Sequence, residues 1–384
     1  MKLSKSLVFS EEEYRVRLNN VREKMALTGI EVLLVFSPEN IFYLTGHQTF
    51  GFQNYQCCIV SLEQDPILVL RYLESFNGHA FSWVKDVEIW DDHEDPADVT
   101  VKVIMEKNLM HKTIGSDDKS LFFPPVIRDR LKEKLGEHLI STFGIVESSR
   151  VVKSEAELEL MNKASIYTDI GVESAVNAVC TGATENDVAA VAYESMTKAG
   201  SEYYPLQPIV TSGWRAGIPH TNFQRRTLEP GDPVLIELSG THHRYVSPIM
   251  RTAIVGKVTD KVHDMYKVCE EALSSVIAEI KPGVTSHSID HVARNIITKA
   301  GYMENWRKRT GYSVGCSFPP DWGEGHIASL RYQDETILTP GMVFHIPIAL
   351  RDYGVAGVGI SETVVITEAG CEKLGSYKRE LSAK

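Results

Sequence analysis

The sequence predicts two α/β domains, 1–147 and 148–384, the second an α+β unit made of two related halves. Three observations predict it. Strand-like apolar runs alternate with helical stretches before about residue 145. A polar linker, Ser148-Ser149-Arg150-Val151-Val152-Lys153, then leads into a helix start. Beyond it the chain repeats itself: Gly182-Ala183-Thr184 through Thr197-Lys198-Ala199-Gly200 aligns without a gap on Gly283-Val284-Thr285 through Thr298-Lys299-Ala300-Gly301, a shift of 101 residues.

The elements follow in order. Glu11 to Ala26 reads as a polar-rich helix with apolar punctuation. Glu31-Val32-Leu33-Leu34-Val35-Phe36 is apolar after its first residue, as in a strand buried on both faces. Cys57 to Leu62 and Pro66 to Leu70 are further strands around the turn Glu63-Gln64-Asp65. Ser154-Glu155-Ala156-Glu157 is a capping box opening a helix with Leu158, Met161 and Ala164 near one stripe. In the repeat, Thr184 and Thr285 cap equivalent helices, and Gly200 and Gly301 end them. The strand starts Pro230-Gly231 and Pro340-Gly341 match at a shift of 110, which superposes Glu237 on Pro347. Two related halves imply a cleft between them, and that cleft is the expected site.

Composition narrows the function. A net charge of -11, with no basic patch or run read from the sequence, argues against nucleic-acid binding, since nothing would neutralise phosphates. The start, Met1 to Lys5, lacks an apolar signal core, and no apolar run reaches the ~18 residues a membrane span needs, so a cytoplasmic protein with no membrane partner is expected. The cysteines, Cys57, Cys58, Cys180, Cys269, Cys316 and Cys371, form no metal-type spacing and read as reduced, mostly buried thiols.

Motifs carry more. Gly231 to Glu237 and Tyr245 to Thr252 read as one strand pair; Pro340 to Pro347 and Gly359 to Val364 read as another, with Thr310 to Gly315 between them. Ahead of them stands Ser37-Pro38-Glu39-Asn40-Ile41-Phe42-Tyr43-Leu44-Thr45-Gly46. Over nearly the whole chain this framework resembles the superfamily of methionine aminopeptidase, prolidase and creatinase, the pita-bread fold. The resemblance implies a creatinase-like N-terminal α/β domain and a pita-bread catalytic domain. The peptidases of that superfamily place Asp, Asp, His, Glu and Glu around two metal ions. The matching positions here hold Glu237, Pro248, Tyr312, Pro347 and Ser361, with the first two at the family's eleven-residue spacing. Proline offers no side-chain ligand, serine and tyrosine are poor neutral ones, and Glu237 alone would not retain an ion. The expectation is therefore no metal and no other cofactor. One alternative is a site rebuilt in a new register from Glu362, His326, His345 and His242.

A site without metal restricts the substrate. Amide hydrolysis in this fold needs a Lewis acid to polarise the carbonyl. A protonated amidine or guanidine carries its own positive charge at the carbon under attack, and a carboxylate both binds that cation and adds to it or activates water against it. Creatinase, a metal-free relative, hydrolyses a guanidino compound. Ile236 to Tyr245, Phe318-Pro319-Pro320-Asp321-Trp322-Gly323-Glu324 and Gly341 to His345 most resemble the metal-free ectoine hydrolases, which open a cyclic amidine. After Pro219-His220 the chain departs from them, reading Thr221-Asn222-Phe223 in place of a more apolar, Trp-containing stretch.

The expected roles follow. Glu237 is nucleophile or general base; otherwise it forms a structural ion pair, with Arg251 as partner. His220 matches the catalytic histidine of creatinase and moves a proton to the leaving nitrogen; otherwise it is a loop histidine bonded to backbone. Tyr312 bonds Glu237 or the substrate, or else packs with a satisfied hydroxyl. Phe318, Asp321, Trp322, Glu324 and His326 share a loop suited to substrate contact. His345 and Glu362 adjoin emptied positions, although strand alternation lets only one of Ser361 and Glu362 face the cleft. His242 and His243 read as solvated turn residues. The resemblance implies a homodimer in which the N-terminal domain reaches the partner's cleft, with Phe52, Tyr55 and Arg71 as candidates. The expected partner is a small zwitterionic substrate. A creatinase-like guanidino hydrolase, an Xaa-Pro peptidase and a non-catalytic binding protein of the same fold remain as rivals.

Overall fold

The computed structural model describes residues 5–306 and 308–384. Contacts divide the chain into two compact units, Met1–Arg150 and Val151–Lys384. The first holds α1 (Glu11–Leu27), β1 (Val32–Val35), α2 (Pro38–Thr45), β2 (Gln56–Ser61), β3 (Ile67–Arg71), α3 (Tyr72–Phe81), β4 (Asp86–Trp90), α4 (Pro96–Glu106), β5 (Ile114–Asp117), α5 (Pro125–Leu135), β6 (Leu139–Thr142) and α6 (Glu147–Arg150). Its strands form one mixed sheet in the order β4-β3-β2-β1-β5-β6. All four residues of β1 are buried, which is why that run carries no polar alternation. Neighbouring Cys57 and Cys58 are both fully buried on β2.

The second unit holds α7 (Glu155–Ala178), α8 (Glu185–Ala199), β7 (Ile209–Ser212), β8 (Pro233–Leu238), β9 (Thr241–His242), β10 (Tyr245–Val246), β11 (Ile249–Ile254), α9 (Asp260–Glu279), α10 (Ser286–Lys299), β12 (Gly311–Ser313), β13 (Ser329–Leu330), β14 (Val343–Asp352), β15 (Ala356–Thr367), β16 (Gly370–Lys373) and β17 (Ser382–Ala383). Both arms of the capping box at Ser154 form, which starts α7. The buried stripe of α7 runs through Leu160, Met161, Ala164 and Thr168, with Leu158 only partly covered.

The duplication is a structural fact. One sheet runs β17-β11-β8-β7 and the other β13-β12-β14-β15-β16. Helices α7 and α8 cover the first through Val172, Val188 and Ile236; α9 and α10 cover the second through Leu273, Ile289 and Ile346. The halves also repeat single hydrogen bonds. Gly182 N donates to Leu228 O at 3.1 Å, and Gly283 N donates to Leu338 O at 2.9 Å. Glu185 N donates to Arg226 O, and Ser286 N to Thr336 O. The donors differ by 101 positions and the acceptors by 110, the two shifts read in the sequence. Thr184 and Thr285 cap α8 and α10 by accepting from Asp187 N and Ser288 N.

The two sheets join through side chains of β11 and β15. Met250 N donates to Ser361 Oγ at 2.6 Å, Thr252 Oγ1 donates to Gly359 O at 2.8 Å, and Thr363 Oγ1 donates to Pro248 O at 2.6 Å. The face of each sheet turned from its helices therefore looks into one shared cleft. Among the described residues no helix is long and apolar enough to cross a membrane.

Candidate functional site

Strand alternation decides which side chains face the cleft. On β8, Val234, Ile236 and Leu238 pack under α7 and α8, so Leu235 and Glu237 point the other way, Leu235 against Met250, Ala216 and Ala349. On β14, Ile346, Ile348 and Leu350 pack under α9 and α10, which turns His345, Pro347, Ala349 and Arg351 to the cleft. Register adds Ser361, paired with Pro347, to that face, and Tyr312, paired with His345.

Glu237 is buried, at 8 % exposure, and its carboxylate makes no hydrogen bond or ion pair with another described residue. Burial raises its carboxyl above the usual range, the charges of Lys308 and Arg351 oppose that rise, and Asp321 adds to it. Burial also pushes the Lys308 ammonium down to about 8, with Arg351 acting in the same direction and Glu237 against it. Arg351 donates to Ala216 O at 2.8 Å, which ties β14 to the 3-10 turn Gly213–Gly217.

Across the cleft floor runs a hydrogen-bonded chain. Trp322 Nε1 donates to Tyr312 Oη at 3.0 Å; His345 Nδ1 lies 2.9 Å from the same oxygen; His345 Nε2 lies 2.7 Å from Ser361 Oγ. Burial, and after it the charge of Glu237, hold the Tyr312 phenol well above its ordinary value, so it stays protonated. Burial, then Lys308 and Arg251, hold His345 well below the usual imidazole value, so it stays neutral. The Arg309 guanidinium lies 4.9 Å from the Tyr312 ring centroid.

His220 sits on an exposed turn at φ 57, in the left-handed region. The base of its loop is fixed from below. Glu185 is buried against Arg215 and accepts from Ser212 N at 2.8 Å, while Asn222 Oδ1 accepts from Val210 N at 3.0 Å.

The expectations for Glu362, Arg251, Tyr55 and Phe52 need correction, and the remaining candidates are placed alongside them. Glu362 does not face the cleft: it pairs with Arg251 at 3.0 Å, both side chains 1 % exposed, and with Arg379 at 3.5 Å. Arg251 is therefore no partner for Glu237. Its Nη1 donates instead to Ser361 O, the carbonyl opposite Pro347, which has no N–H of its own. Glu324 is buried in an ion pair with Lys153 at 2.8 Å and also accepts from Ser313. His345 is fully buried and touches Tyr312 and Ser361. Phe318 is buried, with the Arg244 guanidinium 4.0 Å from its ring centroid. Asp321 is exposed, and its carboxylate accepts from Trp322 N and Gly323 N. His326 is exposed. In the first unit Tyr55 is core: its hydroxyl lies 2.7 Å from Thr100 Oγ1 and its ring meets Phe36 and Trp90. Phe52 is buried edge-on to Phe122, and Arg71 pairs with Asp92. His242 bonds Tyr167 at 3.3 Å, while His243 and Arg244 form the positive-φ turn of the β9–β10 hairpin.

Two residues escaped the sequence reading. Arg351 lies four positions after Pro347, on the same face of the same strand, so alternation from the emptied position would have found it. Lys308 belongs to Arg307-Lys308-Arg309, a basic run overlooked in an acidic chain.

The profile of metallopeptidase family M24 matches residues 159–368, more than half of the chain, and that of the Creatinase/Prolidase N-terminal domain matches residues 17–152. The chain belongs to metallopeptidase family M24. Among M24 relatives it is 29 % identical to the ectoine hydrolase of Halomonas elongata, over 99 % of each chain. It is 32 % identical to an Xaa-Pro dipeptidase of Pyrococcus horikoshii, over 95 % of this chain and 98 % of that one. A solved prolidase of Pyrococcus horikoshii superposes with a TM-score of 0.83 at 27 % identity, covering 95 % of this chain and 99 % of that one. M24 metal centres need clustered carboxylates and imidazoles. The residues at those positions here do not fit: two are prolines, and Tyr312 and Ser361 are committed to His345. Nor does the re-registered set assemble, because Glu362 and His345 are engaged elsewhere and, among the described residues, no three His, Cys, Asp or Glu side chains gather.

Proposed function

We propose that this M24 protein is a metal-independent hydrolase of a C–N bond in a small zwitterion, a carboxylated cyclic amidine such as ectoine before others. The observation that carries the reading is the charge arrangement of the cleft. One carboxylate, Glu237, has no side-chain partner among the described residues and lies under the charges of two cations, Lys308 and Arg351, at a position where relatives would hold metal. Glu237 meets the amidinium; Lys308 and Arg351 meet the carboxylate. Glu237 then activates the water that adds to the amidine carbon, or adds to it first and is released from the resulting adduct by water. His220 delivers a proton to the departing nitrogen, leaving an amide and a free amine. The 29 % identity to an ectoine hydrolase over the full length supports the substrate class.

A second reading, an Xaa-Pro peptidase, is favoured by the 32 % identity to a dipeptidase. One experiment separates them. Chelator-treated protein is incubated with ectoine and followed by proton NMR. An acetylated diaminobutyrate is expected. Unchanged ectoine, together with cleavage of an Xaa-Pro dipeptide once a divalent metal is added, would establish the peptidase instead.

A further inference from the structure

Two of the emptied ligand positions, Tyr312 and Ser361, both touch a third residue, His345, which occupies none of those positions. The protons along this chain can be counted. Ser361 Oγ accepts from Met250 N at 2.6 Å. Tyr312 Oη accepts from Trp322 Nε1 at 3.0 Å. His345 is neutral, so one ring nitrogen donates and the other accepts. If Nε2 carried the proton, Ser361 Oγ would take two donors, and its own hydrogen would be left without an acceptor in a fully buried place. Among the described residues Ser361 Oγ has no acceptor other than His345 within reach. With the proton on Nδ1, Ser361 donates to Nε2, Nδ1–H donates to Tyr312, and the hydrogens of Met250 N, Ser361 Oγ and His345 Nδ1 all have their partners. Tyr312 Oη then accepts two bonds, from His345 and Trp322, and its hydrogen has only the cleft to point to.

We propose that Ser361 locks His345 in the Nδ1–H tautomer, and that His345 and Trp322 together make Tyr312 a fixed hydrogen-bond donor into the cleft beside Glu237. His345 is a positioning residue in this scheme, and Tyr312 is the group that touches substrate. The chain supplies at a metal-free site what a bound ion supplies elsewhere, a fixed electrophilic group that needs no reorganisation when charge develops. Groups that bear on the imidazole from neighbouring elements are Lys308 and Arg251, both cationic, and both disfavour a second proton on the ring.

The catalytic half of this proposal rests on the reading of the site as a C–N hydrolase; the tautomeric half does not. The test is a long-range proton–nitrogen correlation on the full chain with 15N-labelled histidine. His345 is identified among the 13 histidines by its absence in His345→Gln. If that variant does not fold, it is identified as the ring whose nitrogens change in Ser361→Ala. Nδ1 is expected to carry the proton, with Nε2 bare, and Ser361→Ala should populate the other tautomer. A protonated Nε2 in the wild type would overturn the lock. With ectoine, Tyr312→Phe should lose on the order of 10²-fold in kcat, and Ser361→Ala should lose kcat while KM holds. A Tyr312→Phe enzyme within twofold of wild type would overturn the donor role. A wild type inert toward ectoine would remove the substrate and leave the tautomer result standing.

Discussion

At Glu237 burial and charge pull in opposite directions, and burial wins: its carboxyl titrates above the usual range despite two nearby cations. Stability from this group therefore falls as pH rises from its ordinary 4.5 towards its raised value, where the unfolded chain ionises and the folded one does not, and no cost is present below 4.5. Glu237→Gln is expected to fold, to melt higher than wild type at pH 7, and to lose that advantage below about pH 4.5. The same variant should lose on the order of 10²–10⁴-fold in kcat. Melting curves at the two pH values and a progress curve with ectoine check both. Lys308 gives the opposite limb. Its folded value of about 8 lies under its ordinary 10.5, so the site loses a positive charge above about pH 8, while stability from this group rises between the two values. KM for a carboxylated substrate should climb above pH 8 by about tenfold per pH unit in the limit. In Lys308→Met that limb should be absent.

Elements of the two halves invite paired tests. Thr184 closes a full capping box with Asp187, whereas Thr285 accepts one bond from Ser288 N. Thr184→Ala and Thr285→Ala should each cost about 1 kcal/mol, read from urea midpoints, with the larger loss at Thr184. The duplicated helices and their caps were legible in the sequence because a cap and a terminal glycine are local chemistry. Contacts between elements were not. A Cβ at Gly357 would lie 1.9 Å from Ala216 O, a backbone atom that cannot move aside alone. Gly357→Ala on β15 should therefore cost about 3 kcal/mol and disturb the turn beneath the His220 loop. Nothing in the local sequence Val355-Ala356-Gly357-Val358 announces that contact.

For the whole molecule the proposed metal independence raises one physical question, what holds the cleft in shape. The buried pairs Arg251–Glu362 and Lys153–Glu324 and the hydrogen-bonded chain from Trp322 to Ser361 tie together the strands and loops around the cleft. Exhaustive chelation is accordingly expected to leave both the melting temperature and the turnover of ectoine unchanged; a fall of several degrees on chelation, restored by zinc or manganese, would show a metal that the donor set does not suggest.

By itself the sequence determined the family, the two-part α/β architecture, the internal repeat, and which residues, Pro248, Tyr312, Pro347 and Ser361, stand where the resemblance expects metal ligands. Each of these is written in residue identity and spacing, which strands and caps read locally. Only the tertiary structure decided partnership. Alternation could say that one of Ser361 and Glu362 faces the cleft; it could not say that Arg251, 111 positions away, waits under β15 to take Glu362. Nor could it say that His345 joins Tyr312 to Ser361, that Tyr55 is spent on its own core, or that the charges of Lys308 and Arg351 bear on Glu237. Those pairings are set by which sheet face meets which across the cleft, a relation between residues far apart in the chain.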